Sequence, residues 1–400
     1  MRLQPLATWL MALALALSPA YVIRPHVGPL PTTVLEIALV VAVVVGLIAF
    51  WHELPWRSPL TWPALLLLVA ATIDTVVSPD RRAAAGIWKA YFIEPAAAGL
   101  VIAAIATRRD RARLLLAGLG VAGAVIAVAN IAVAAPPWLG GHFDVVTPPV
   151  AIYDTANAVP LYLEPLVAFA LALAFFSDDR RERALAGAFV VLAAVAIFFS
   201  YSRAGWLTLA VLIGFVALFT RIRWWLVGAA VAVGAVLFAA SRSVRERILV
   251  EFNFNSPNNT IGLRGDLWRS SLNMLAHRPV FGGGLSGFKR SLQPYRMPAY
   301  HESLIYPHNI ALNFWSETGL LGLAAFCWLV VQIVRVALRG LRMAEAPWAR
   351  AMAVGLLGLV VAFVVHGMVD VPYFKNDQAL AFWALLGVQL ASLRVRSARG

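Results

Sequence analysis

The sequence is poor in charged residues and almost free of cysteine. Only 13% of its 400 residues are Asp, Glu, Lys or Arg, against about 25% in soluble domains, and 61% are hydrophobic. The single cysteine, Cys327, excludes both an intrachain disulfide and a Cys-rich metal site. No HExxH or Asp-x-Asp pattern is present, so the sequence carries no metal-site signature. We therefore predict neither a metal ion nor a cofactor.

Strand-like alternation is also missing, while apolar runs of about 20 residues recur along the whole chain. Such runs predict an all-α polytopic membrane protein with about twelve transmembrane helices. The first run is followed by Arg24 without a small-residue cleavage site, so it predicts a span rather than a signal peptide. The candidate spans are 6–23, 32–51, 59–77, 87–106, 113–134, 157–176, 184–200, 205–220, 223–240, 308–334, 350–371 and 378–394.

The net charge of +13 comes from basic residues scattered at the ends of these runs. This distribution is typical of topology determinants, so we exclude a nucleic-acid partner. With the N-terminus in the cytoplasm, inside segments hold 18 of the 33 Lys and Arg residues and short outside loops hold 5. We predict spans 1–9 in residues 1–240, a helical extracytoplasmic cap in 241–307 between spans 9 and 10, and spans 10–12 with a cytoplasmic tail in 308–400. Both termini are then cytoplasmic.

Arg203 lies in a short hairpin, Ser200-Tyr201-Ser202-Arg203, between two predicted spans. An arginine at a helix end often only extends to the membrane surface. That interpretation does not explain why serines and a tyrosine surround it where a tight apolar hairpin would suffice. A fixed guanidinium also suits a pair of phosphate oxygens, because its planar fork donates to two oxygens at once.

The predicted cap adds further candidates at its two ends. Arg264 precedes Trp268 and Arg269 where a helix is predicted to begin, and free backbone N–H groups favour an anion there. Tyr306 and His308 lie where the chain re-enters the membrane, and a histidine can accept a proton near neutral pH. Alone, each is more often a solvated loop residue or a helix cap than a catalytic group.

The predicted span after His308 continues its polar character. Asn309 follows at the helix start, and Asn313 and Glu317 recur at steps of about four residues on one face. An acid within a membrane segment is a functional candidate.

Other histidines have weaker signals. His366 and Asp370 are four residues apart on a predicted helix face, which indicates a structural pair. His277 and His301 have no evident partner in the sequence and are predicted to be loop residues.

Taken in order, these pieces resemble the O-antigen ligase / O-antigen polymerase family of bacterial membrane glycosyltransferases, most of all its O-antigen ligases. The resemblance covers roughly residues 150–390. The motifs that carry it are Asn157 with Tyr162-Leu163, Ser200-x-Ser202-Arg203, Arg264 with Trp268, Pro279-x-Phe281-Gly282-x-Gly284, His308-Asn309, Glu317-x-Gly319-x-x-Gly322 and His366-Gly367-x-x-Asp370.

The resemblance implies a GT-C-type fold in the bacterial inner membrane with a periplasmic active site. It implies a donor glycan on an undecaprenyl-diphosphate carrier, transferred to an acceptor hydroxyl without a metal ion and with inversion. Arg203 and Arg264 would then bind the diphosphate, and His308 would be the general base or would orient the acceptor. Carried over with them as substrate-binding residues are Trp268, Arg269, Tyr306, Asn309 and Glu317.

Several alternatives stay open. The acceptor is lipid A-core in ligases, another glycan repeat in polymerases, and a protein hydroxyl in O-oligosaccharyltransferases; short cytoplasmic loops favour the first. An anion transporter fits the many spans and Glu317, although we find no inverted repeat. A membrane scaffold is a third possibility. The acidic loop 136–156, with Asp144 and Asp154, has no role that the resemblance assigns.

Overall fold

The computed structural model describes residues 3–25, 32–253, 259–297 and 306–397, the side chains of 394–397 excepted. This part of the chain is helical and contains no β-strand. The helices are α1 Leu3–Ala16, α2 Val34–Phe50, α3 Thr61–Val77, α4 Arg81–Ile87, α5 Glu94–Ile105, α6 Arg109–Leu139, α7 Ala158–Phe176, α8 Arg180–Phe199, α9 Arg203–Ala217, α10 Arg223–Ala240, α11 Arg242–Leu249, α12 Thr260–His277, α13 Phe288–Leu292, α14 Ile310–Arg342, α15 Pro347–Gly367 and α16 Asn376–Ser397. The predicted all-α polytopic class is confirmed.

Eight segments in the described residues are long and apolar enough to cross a membrane. They comprise α2, the continuous run from α4 to α5, α6, α7, α8, α10, α14 and α15, while α1, α3 and α9 are shorter apolar helices. The predicted count of twelve spans therefore remains a prediction. α6 continues through Pro136 and Pro137 to Leu139, five residues beyond the predicted end of the span at 134. Proline is tolerated in a membrane helix when neighbouring groups satisfy the backbone.

Two helices form the centre of the bundle. α7 is buried along almost its whole length and packs against α8, α9 and α15, and α15 also packs against α14. α10 has the opposite character, since none of its residues is buried and it packs mainly against α9 and α11. The near-continuous apolar sequence of α7 fits a helix that faces protein on all sides.

In its described residues, the cap contains the α-helices α11, α12 and α13. α12 contains Arg264, near which the sequence predicts that a helix begins, and the chain turns at Gly282–Gly284. α12 and α13 share a small apolar core built around Leu267, Met274 and Phe288. The cap thus has a packed interior of its own. His301 lies outside the described residues. His277 is the last residue of α12 and not the predicted loop residue, and its ring packs against Tyr295.

A kink in α14 joins the cap to the membrane bundle. Thr318 and Gly319 leave helical geometry, and Gly319 has a φ of +63° that side chains disfavour. The chain around the glycine turn 282–284 and the chain around the kink in α14 exchange backbone hydrogen bonds. Gly283 N–H donates to Ser316 O (2.8 Å) and Leu320 N–H donates to Val280 O (2.9 Å).

Gly319→Ala is expected to destabilise the protein by about 1–3 kcal/mol, the usual range for strained backbone. A Cβ at Gly319 would collide with the carbonyl of Val280 as well as require a disfavoured φ. Thermal unfolding of the purified protein measures the effect. The control is Gly234→Ala in α10, where a Cβ meets no atom within 4 Å. Equal stabilities of the two variants would contradict the joint described above.

Candidate active site

The hairpin between α8 and α9 is held by its serines. The Ser200 hydroxyl donates to Ile197 O (2.7 Å) at the end of α8, and the Ser202 side chain accepts from Gly205 N–H (3.3 Å) at the start of α9. Tyr201 adopts a left-handed backbone, with a φ of +49°. The serines are therefore helix caps that fix the chain direction. Their effect is to place Arg203 in the first turn of α9, facing the cap.

Arg203 is anchored to the cap by three contacts. Its guanidinium forms an ion pair with Glu251, and the Arg203 side chain is only 18% exposed. Nη1 also donates to Arg247 O (3.1 Å), and Nη2 donates to the Thr260 hydroxyl (3.0 Å). These partners belong to the cap and not to the bilayer surface. The interpretation of Arg203 as an arginine that merely extends to the membrane surface does not describe these contacts.

Thr260 links the two arginines predicted from sequence. Its hydroxyl accepts from Arg264 Nη1 (3.2 Å) as well as from Arg203, and donates to Glu251 Oε1 (2.9 Å). Glu251 also accepts from the backbone N–H groups of Thr260 and Ile261 at the start of α12. A carboxylate is favourable at that end of a helix. Arg203 and Arg264 thus lie side by side although 61 positions separate them in the sequence.

A third arginine completes the group, and the sequence prediction missed it. Arg247 in α11 donates from Nε to Tyr201 O (3.3 Å) in the hairpin. Burial lowers the pKa of Arg247, and repulsion from Arg264 lowers it further. The negative charges of Glu251 and Asp144 act in the opposite direction. The only available signal was its place in the basic segment that precedes the cap. We call Arg203, Arg247 and Arg264 the arginine cluster.

The arginine cluster has an excess of positive charge. Within the described residues, Glu251 is the one carboxylate at ion-pairing distance from any guanidinium group of the cluster, and it pairs with Arg203. Partly buried charges of one sign are costly until a counter-charge joins them. Arginine also remains protonated in proteins, so the cluster cannot relieve this cost by losing protons. It is therefore suited to binding an anion with several oxygens.

His308 lies in a second group of side chains. Its Nδ1 is 3.3 Å from Asp370 Oδ1, in a geometry that falls short of a good hydrogen bond. The Tyr306 ring packs on the imidazole with 4.4 Å between centroids. His308 itself has a φ of +48°, an uncommon backbone conformation that clusters at functional sites. Trp268 fixes this turn by donating from Nε1 to Pro307 O (3.0 Å).

Asp370 gives the imidazole an anionic partner. Burial would raise the pKa of Asp370, but contact with His308 and the charges of His308, His366 and Arg264 hold it below its usual range. Burial and the charge of Asp370 raise the pKa of Tyr306, so its hydroxyl stays protonated. Asp370 is thus an ionised carboxylate beside a histidine. Such a carboxylate can orient the ring and stabilise its protonated form.

α12 connects the two groups. Arg264 reaches the arginine cluster, and Trp268, one turn later, reaches the backbone next to His308. The positive charge of Arg264 acts on Asp370 and on Tyr306 as well as on Arg203. The cluster and the histidine therefore belong to one site, which lies between the cap and the N-terminal ends of α9 and α14.

Three predicted site residues have partners within the protein. Glu317 is 6% exposed, and its carboxylate accepts the backbone N–H of Ser286, so it supports the joint at the kink in α14. Arg269 is 75% exposed and pairs with Asp266 on the surface of α12. Asn309 caps α14 by accepting from Leu312 N–H (3.0 Å).

His366 does not form the predicted pair with Asp370. Its Nδ1 lies 2.9 Å from the carboxylate of Glu164 in α7, and both side chains are fully buried. Asp370 instead faces His308. The spacing of four residues placed both side chains near the end of α15 but could not reveal their partners, which lie in α7 and just before α14.

The C-terminal end of α6 and the loop that follows it, up to residue 156, cover the hairpin. Trp138 Nε1 donates to the Tyr201 hydroxyl (2.9 Å), and Phe143 packs on the same ring with 4.7 Å between centroids. Asp144 is exposed and acts electrostatically on Arg247, whereas Asp154 is exposed elsewhere in the loop. Across the described residues, no three His, Cys, Asp or Glu side chains are grouped in a way that could hold a metal ion.

Comparison with known proteins points in one direction. The family described as O-Antigen ligase matches residues 188–327, which include the hairpin, the arginine cluster and His308. An O-antigen ligase of Salmonella typhimurium (strain LT2) is 28% identical over 209 residues, which cover 47% of this chain. The match spans about half (49%) of that relative's length. Both matches coincide with a helical membrane architecture, so the chain is similar to O-antigen ligases over part of its length.

Proposed function

We propose that the protein transfers a glycan from an undecaprenyl-diphosphate carrier to a hydroxyl of lipid A-core at the outer face of the bacterial inner membrane. The observation that carries the proposal is the arginine cluster beside His308 and Asp370. A diphosphate supplies several negatively charged oxygens, and three guanidinium groups with one carboxylate leave the charge that would bind them. The acceptor follows the name of the Salmonella relative, an O-antigen ligase.

The proposed reaction is a direct displacement at the anomeric carbon. The acceptor oxygen forms a bond to that carbon while the bond to the phosphate oxygen breaks, and the electron pair remains on the diphosphate. The arginine cluster stabilises the charge that develops there, because fixed donors act most strongly where charge appears in the transition state. His308 accepts the acceptor proton, and Asp370 stabilises the resulting imidazolium. One displacement inverts the anomeric configuration.

The remaining residues act on this arrangement indirectly. Trp268 and Asn309 hold the backbone around His308, the first through Pro307 O and the second by capping α14 and donating to Met368 O (3.0 Å). Tyr306 packs on the imidazole. We therefore assign them positioning roles, and we do not retain Arg269 or Glu317 as substrate contacts.

Arg247→Gln is expected to lower glycan transfer by about 10- to 100-fold, because it removes one of the three charges proposed to bind the leaving diphosphate. The assay uses purified protein in proteoliposomes with an undecaprenyl-diphosphate glycan and lipid A-core. Parallel reactions offer a free glycan repeat or a protein as acceptor.

The matched control is Arg242→Gln. Arg242 lies on the same helix and is 83% exposed, so its replacement should leave the transfer rate unchanged. If Arg247→Gln transferred glycan at the wild-type rate, the arginine cluster would not be the diphosphate-binding site. Transfer only to the glycan repeat would instead indicate a polymerase, and transfer only to protein an O-oligosaccharyltransferase.

A further inference from the structure

A groove lies on the side of the bundle between α6, α7 and α8, at the opposite membrane face from the arginine cluster. Its volume is about 530 Å³. One end is charged and the body is apolar. Arg113, Arg181, Asp179 and Glu182 line the charged end, and Gly120 lies in the apolar body.

The groove is as long as one leaflet of a bilayer. Along α6 its lining runs from Arg113 to Ala124, and eleven residues at 1.5 Å each give about 16 Å. Half of the hydrocarbon thickness of a membrane is about 15 Å. A lipid with its headgroup at Arg113 would therefore reach the bilayer midplane with its acyl chain at the apolar end.

Small residues keep the groove open. A Cβ added at Gly120 would meet no atom within 4 Å, so the space above this residue is empty of protein. Val121 and Leu185 on the two rims are 54% and 63% exposed, so the groove is accessible from the lipid side. A lipid acyl chain that enters from the bilayer would meet no protein barrier at these positions.

The charged end favours an anion. Arg113 pairs with Asp179 (2.9 Å) and Glu182 (3.2 Å), so its charge is balanced. Arg181 is exposed, and its guanidinium contacts no carboxylate among the described residues. Segments 108–113 and 178–183 together carry seven arginines and four carboxylates, which leaves a positive excess. Basic sites between membrane helices bind phosphate-bearing headgroups.

We propose that this groove binds one anionic phospholipid, with its phosphate on Arg181 and an acyl chain over Gly120. By the charge distribution of the loops, this end of the bundle is the predicted cytoplasmic face. α8 separates Arg181 from the hairpin at Ser200 by nineteen residues, or about 28 Å. The lipid site is thus remote from the site of glycan transfer and does not depend on that proposal.

Photo-crosslinking in nanodiscs tests the proposal. The full-length protein is placed in phosphatidylcholine with a small fraction of phosphatidylglycerol that carries a diazirine in its acyl chain. Mass spectrometry should locate adducts on the groove faces of α6 and α8. Gly120→Trp, which fills the groove, should reduce these adducts at least tenfold, and Arg181→Gln should reduce them about fivefold.

Two control variants separate the groove from general lipid contact. Gly187→Trp fills equally open space on α8 outside the groove, and Arg180→Gln removes an exposed neighbouring charge that does not line it. Both should crosslink within twofold of wild type. Equal adduct yields from diazirine-labelled phosphatidylcholine, or yields unchanged by Gly120→Trp, would overturn the proposal. Neither result would bear on glycan transfer, because no glycan is present.

Discussion

Arg264→Ala is expected to lower the rate of glycan transfer by about 10²–10³-fold, the usual cost of removing one fixed donor from a developing negative charge. Arg264 is the member of the arginine cluster that also acts electrostatically on Asp370 and Tyr306. Its loss therefore weakens both halves of the site. Arg264→Lys should recover only part of the rate, because an ammonium cannot contact Thr260 and two phosphate oxygens with a planar fork.

The measurement is single-turnover transfer in proteoliposomes with saturating donor. Thermal unfolding of each variant shows whether the fold survives, and Arg242→Gln again serves as the exposed control. If Arg264→Ala retained its fold and transferred glycan within threefold of wild type, the cluster would not be the diphosphate site. If Arg264→Lys transferred glycan at the wild-type rate, a point charge would suffice and the proposed bidentate contact with the diphosphate would be excluded.

His308→Ala is expected to have an effect of similar size, about 10²–10⁴-fold, because a positioned base contributes that much to rate. Donor binding should change little, since the diphosphate contacts are made by the arginine cluster. The loss should therefore appear in kcat and not in KM. Asp370→Asn should lower kcat less than His308→Ala does, because it leaves the imidazole in place but removes the charge that orients and stabilises it.

His277→Ala is the matched control, since His277 stacks on Tyr295 at the far end of α12 and has no proposed role. Tight donor binding with lost turnover in His308→Ala would support a base. Unchanged turnover would exclude His308 from the chemistry. If Asp370 positions the imidazole, Asp370→Asn should lower kcat less than His308→Ala does and should also shift the pH profile of kcat. If Asp370 is purely structural, the substitution should alter stability alone.

The sequence predicted the elements of the site better than their contacts. Ser200, Ser202 and Asn309 act through the backbone next to them, so local sequence was enough to place Arg203 and His308 at helix starts. Local sequence also identified Arg264, which lies in the first turns of α12. Each of these predictions depended on a helix end that polar residues mark within a few positions.

The contacts of Glu317 show where that reasoning ended. Its position in a membrane helix suggested a substrate contact, but its carboxylate accepts from an amide 31 residues earlier in the chain. The same applies to His366, whose partner Glu164 is 202 residues away. A polar residue in an apolar helix must find a partner, and sequence cannot tell whether that partner is a ligand or another segment of the protein.

By itself, the sequence determined the helical membrane architecture and the presence of Arg203, Arg264 and His308 near helix starts. These properties follow from the length of apolar runs and from local capping. Only the tertiary structure decided that Arg247 and Glu251 join Arg203, that Asp370 lies beside His308, and that Glu317 binds the amide of Ser286 near the kink in α14. Arg203 reaches partners 44 and 57 positions along the chain, and such pairings depend on how the cap folds over the bundle. The groove beside Gly120 is decided in the same way, by three helices whose packing leaves a space that none of them specifies alone.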